Sequence, residues 1–82
     1  MSRIDVNSYK AVSNLLKQTG FSVHDLPLTG RNVNGETVIL SASKDIENPA
    51  DAVYRLETMQ KNGWVRNNVF YKDGTEEEFY EH

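Results

Sequence analysis

Between Ser8 and Gly20 the apolar residues Val12, Leu15 and Leu16 recur at three- and four-residue spacing, with Thr19 in the same stripe. That pattern predicts an amphipathic helix, capped at its start by Asn7 or Ser8. Gly20 supplies a left-handed closing position, and Phe21 follows where a Schellman ending would pack it back on Leu16.

A second stripe, Ala52, Val53, Leu56 and Met59, predicts a second helix. Asn48 is suited to its N-cap, Pro49 to its first turn, and Asp51 to the positive end of the dipole. The pairs Asp51–Arg55 and Glu57–Lys61 place acid before base at i, i+4, as on a solvated helix face. Gly63-Trp64 then closes the helix, with Trp64 placed to reach Met59.

Each predicted helix is followed by a hairpin pattern. In Arg31 to Leu40, Asn34-Gly35 lies between extended runs, a strong short-range turn signal. Leu26-Pro27-Leu28-Thr29-Gly30 interrupts the incoming strand, because proline is confined to edges and bulges. In the second hairpin Val65–Tyr71 and Glu76–Tyr80 flank Lys72-Asp73-Gly74-Thr75. Two registers are open there. A two-residue turn pairs Tyr71 with Glu76 and puts Phe79 on the Trp64/Phe70 face. A three-residue turn with a bulged Gly74 pairs Tyr71 with Thr75 and moves Phe79 to the valine face. The expected fold is α+β in the order α-β-β-α-β-β: two helices on one face of a three- to four-stranded antiparallel sheet. At 82 residues the chain is expected to form a single domain over residues 1–82.

Composition narrows the chemistry. There is no cysteine, which removes disulfides, thiolate zinc sites and a cysteine nucleophile, and fits a cytoplasmic setting. No basic start precedes an apolar leader, and no run approaches a membrane span. The net charge of −3 disfavours nucleic acid, since binding phosphate normally needs a basic field.

The hairpin strand Gly63 to Tyr71 is the most informative segment. Alternation points Val65, Val69 and Tyr71 one way and Trp64, Arg66, Asn68 and Phe70 the other, so aromatics fall on both faces. In the plainer reading, Trp64 closes a helix and Phe70 lies under a loop or the N-terminus. In the functional reading, Trp64, Arg66, Asn68, Phe70 and Tyr80, with Glu76 and Glu78, form an exposed interface patch of the composition favoured at protein contacts. The acidic run Glu76-Glu77-Glu78 normally marks a solvated edge strand; it gains weight only if these glutamates rim the aromatic patch.

Other constellations are weaker. His24-Asp25 resembles part of a catalytic dyad, but adjacent strand residues point apart, and no nucleophile accompanies them. Asp45, Glu47 and Asp51 fit no calcium-loop spacing, and no glycine-rich phosphate cradle occurs, so no cofactor or metal is expected. Leu26-Pro27-Leu28-Thr29-Gly30 matches a sortase signal in letters but lacks the apolar span and basic tail that such a signal needs.

The expectation is therefore a non-enzymatic protein-binding module, with a homodimer as one form of partner. Small acidic proteins of this kind often act as accessory regulators or inhibitors, including those carried by mobile elements, an association by size and charge alone. The alternatives are a nucleic-acid module stacking bases beside Arg66, and a small enzyme or ligand-binding protein using His24.

Overall fold

In the computed structural model, which describes residues 3–43 and 51–82, the first apolar stripe forms helix α1 (Tyr9–Thr19). Ser8 is its N-cap and accepts the Ala11 N–H at 3.1 Å. Gly20 closes it at φ 79°, and the Gly20 and Phe21 N–H groups both donate to the Leu16 carbonyl. That closure satisfies carbonyl capacity left over at the end of the helix. Val12 and Leu16 are buried, whereas Phe21 is exposed. A single 3-10 turn follows over Val23–Asp25, held by a capping box between Ser22 and Asp25.

The rest of the described chain is a five-stranded antiparallel meander: β1 (Leu28–Arg31), β2 (Thr37–Ala42), β3 (Tyr54–Met59), β4 (Val65–Phe70) and β5 (Glu76–Glu81). The expected pair of helices on three or four strands is thus corrected to one α-helix and five strands. Residues 54–59 are a central strand, paired with β2 through Leu40↔Leu56 and with β4 through Leu56↔Asn68. The physical reason lies in an ambiguity of spacing. Residues four apart share a face in a helix and also in a strand, so Ala52 with Leu56 and Asp51 with Arg55 fit either structure. Period two decides here. Ala52, Tyr54, Leu56 and Thr58 are buried, while Arg55 is exposed and Val53, Glu57 and Met59 are only partly covered. Val53, Tyr54 and Thr58 also suit a pleated surface better than a helix. The proposed caps Asn48 and Pro49, with Asp45 and Glu47, lie outside the described residues. Asp51 forms an ion pair with Lys72 at 3.1 Å.

Gly63 ends no helix; it belongs to the second of three hairpins built alike. Gly35, Gly63 and Gly74 donate their N–H to the carbonyls of Asn32, Gln60 and Tyr71, and these three residues donate back to Glu36, Trp64 and Thr75. Each is a three-residue turn whose third position is left-handed glycine. The Asn62 side chain accepts the Trp64 N–H at 3.0 Å, and that of Asp73 accepts the Thr75 N–H at 2.9 Å. Hydrogen bonds from the Thr75 hydroxyl and N–H hold the Asp73 carboxyl below its usual range. At Gly63, φ is 89°, a backbone that L side chains rarely adopt. Gly63→Ala should therefore cost about 1 kcal/mol in urea denaturation. An unchanged midpoint would contradict the left-handed turn.

One face of the sheet shares a core with α1. Val38, Leu40, Tyr54, Leu56 and Phe70 cluster with Val12, Leu16 and Ile4. The N-terminal segment reaches this core from the β1 edge, where the Ile4 N–H donates to the Arg31 carbonyl at 2.9 Å and Arg3 bridges Arg31. Tyr9 and Tyr54 pack ring to ring at 5.1 Å, and burial pushes the Tyr54 phenol above its ordinary value. Among the described residues no helix is long and apolar enough to cross a membrane.

Candidate functional site

The outer hairpin adopts the three-residue register, with Tyr71 donating to Thr75. The pairs that follow are Phe70↔Glu76, Asn68↔Glu78 and Arg66↔Tyr80. Alternation puts all six side chains on the face that carries the core. Trp64 extends the row and packs on His82 with ring centroids 4.6 Å apart. Phe79 goes to the opposite face with Val65 and Val69, where the Arg55 guanidinium lies 5.6 Å over its ring.

The residues of the predicted patch therefore share this one face, but not the same environment. Phe70 is 1 % exposed and belongs to the core, so it is removed from any exposed patch. Trp64 and Tyr80 are 42 % and 50 % exposed, and Glu76 and Glu78 are exposed beside them. Asn68 is nearly buried and donates to Glu78 Oε1 at 2.9 Å. His24 is exposed on the 3-10 turn, and the Asp25 carboxylate accepts the Ser22 N–H at 2.7 Å. The expected strand setting of His24-Asp25 is thus corrected to a local turn, in which Asp25 serves as a cap.

Arg66 is the centre of the face. Among the described residues its guanidinium has no carboxylate within ion-pairing distance. Its Nε is buried without a hydrogen-bond partner, and so is the Thr58 hydroxyl directly opposite it on β3. Two adjoining clefts of about 300 and 370 Å³ meet at Arg66, with Val6, Asn7 and Leu56 in the walls of both. The first runs toward Asn34 and Thr58, the second toward Glu76 and Glu78. The period-two pattern on β3 could have revealed Thr58, but nothing in the spacing marked Val6, or marked Asn7 as more than a cap candidate, because that segment is placed against the sheet only by contacts distant in sequence.

Thr58 allows a direct check. A buried hydroxyl without a partner costs about 1–3 kcal/mol, and valine has nearly the same shape. Thr58→Val should stabilise the protein by about 1 kcal/mol in urea denaturation. A loss of similar size would show that the hydroxyl has a partner in solution.

No protein-family model matches the chain, and no curated protein or solved structure matches it at a significant level. Function is therefore read from this face and its edge.

Proposed function

We propose that this protein is a non-enzymatic binding module that occupies a partner protein with one face of its outer hairpin: exposed Trp64, Glu76, Glu78 and Tyr80, half-buried Arg66, and Asn68, which is buried and holds the Glu78 carboxylate. One observation carries the reading. The register sets Glu76, Glu78 and Tyr80 along the same face as Arg66 and Trp64, so the glutamates rim the aromatic patch. Exposed aromatics around an arginine have the composition of interface anchors, and the acidic rim would select a partner with basic groups. The same rim opposes a nucleic-acid phosphate approaching Arg66. Occupying a partner surface is how an accessory regulator or inhibitor works. The absence of cysteine supports action in the reducing cytoplasm.

The test is a tagged pull-down from nuclease-treated lysate of the protein's own source, read by mass spectrometry. A stoichiometric protein should survive nuclease, be retained by His24→Ala, and be lost with Trp64→Ala or Tyr80→Ala. Removing such an anchor costs about 2 kcal/mol, roughly thirtyfold in affinity. Material lost on nuclease treatment would move the assignment to nucleic acid. A pull-down of the chain alone would make the partner a second copy.

A further inference from the structure

The two edges of the sheet are finished differently. At β1 the N-terminal segment lies alongside, through the Arg3–Arg31 bridge and the bond from Ile4 to Arg31. At β5 nothing pairs with the outer side among the described residues, and all six positions are exposed. The direction of its free backbone groups follows from the register. Tyr71 donates to Thr75, so the bonded pairs continue as Val69–Glu77, Asn67–Phe79 and Val65–Glu81. The backbone groups of Glu76, Glu78 and Tyr80 therefore point away from the sheet. These are also the residues whose side chains line the proposed binding face.

The charge along this edge has one sign. Glu76, Glu77, Glu78 and Glu81 occupy four of the six positions, and among the described residues none of them pairs with a cation. Glu77 accepts the Tyr71 hydroxyl at 2.7 Å and Glu78 accepts from the Asn68 amide at 2.9 Å; neither donor is a cation.

We propose that β5 is a strand-addition site for an extended basic peptide segment of a partner protein. The segment would pair with the outward backbone groups of Glu76, Glu78 and Tyr80 and set lysine or arginine beside the glutamates. Main-chain pairing supplies affinity in this mode, and the side chains select the sequence. Opposite charges directly across a strand pair stabilise it, while like charges oppose it. A second copy of the chain fits badly: antiparallel self-pairing centred on Glu78 sets Glu78 against itself. The proposal rests on the binding-module reading and specifies its partner as basic and extended.

The probe is an acetylated synthetic peptide alternating lysine with valine, with a glutamate-for-lysine peptide as control. The readout is amide hydrogen exchange of the full chain by NMR. In the free protein the Glu76, Glu78 and Tyr80 amides should exchange fast, and those of Glu77, Phe79 and Glu81 slowly. The lysine peptide should slow the first set at least tenfold, and the control should not. Added salt should weaken the effect. Glu78→Pro removes one outward donor at an edge position where proline is tolerated, and should weaken binding about tenfold more than Glu78→Gln, which keeps that donor. Should Glu78→Pro fail to fold, the exchange pattern of the unmodified chain decides alone. Absence of alternate-residue protection overturns strand addition and leaves the glutamates as guards against edge pairing. If the pull-down partner still depends on Trp64 and Tyr80 in that case, the binding face survives without the edge. If that partner is absent as well, both readings fall.

Discussion

Phe70→Ala should lower the melting temperature by roughly 15–30 °C, whereas Tyr80→Ala on the same sheet face should leave it nearly unchanged. Phe70 is 1 % exposed within the cluster that joins β2, β3 and β4 to α1 and Ile4. Truncating a buried phenylalanine costs about 3–5 kcal/mol, through lost transfer energy and the cavity left behind. For a domain of this size each kcal/mol shifts the midpoint by about 4–8 °C. A chain of this length has only about 4–12 kcal/mol in total, so a substantial unfolded fraction is expected near body temperature. Phe70→Leu, which keeps most of the volume, should lose less than about 1.5 kcal/mol. Circular dichroism melts of the three variants are sufficient. A folded, stable Phe70→Ala variant would mean that the core is not closed over this ring, and Phe70 would return to the candidate interface.

The second large effect is expected at Asn67. This side chain is fully buried on the face opposite the helix, with Glu57 and Phe79 as its cross-strand neighbours. Its Nδ2 makes one long bond to the Val65 carbonyl, and its Oδ1 has no partner. Asn67→Asp keeps the shape and puts a charge in that place. Burial and the facing Glu57 both oppose ionisation, so the new carboxyl should titrate above its ordinary value of about 3.9. The sign follows from proton binding. The folded state holds its proton more tightly than the unfolded state, so the variant is hardly destabilised at pH below about 3.9. The loss grows as pH rises from there through the raised folded-state value and is complete above it. At neutral pH it should reach about 3 kcal/mol. Urea denaturation of the variant and the parent at pH 4 and pH 7 measures this difference. A loss equal at both pH values would show that the carboxylate reaches solvent.

A buried asparagine between Val65 and Val69 could not have been anticipated from the pattern, because alternation assigns a residue to a face without saying how covered that face is. At residues 52–59 the four-residue spacing and the acid-before-base pairs predict a helix, although the same spacing places residues on one side of a strand. Gly63 added to this, because a left-handed glycine closes helices and three-residue hairpins alike. Asn62-Gly63 before Trp64-Val65 repeats the chemistry of Asn34-Gly35 and Asp73-Gly74, the signal that would have separated the two structures.

Local chemistry along the chain determined what it could determine by itself: the two ends of α1, at Asn7 or Ser8 and at Gly20, the positions of the turns at Asn34-Gly35 and Asp73-Gly74, and the row Arg66, Asn68, Phe70 on one side of a strand. These depend on capping bonds, a positive φ and the pleat, all of which act within a few residues. Tertiary structure alone decided the rest. Residues 54–59 became a strand because β2 and β4 offered partners on both sides, and pairing between strands outweighs a weak helical preference. Phe70 went into the core while Trp64 and Tyr80, on the same face, stayed exposed, because the core formed by α1 and the N-terminal segment encloses Phe70 and leaves the far end of the outer hairpin uncovered. The open edge of β5 likewise follows from its place in the strand order, since a strand's own sequence cannot specify whether another chain segment lies beside it.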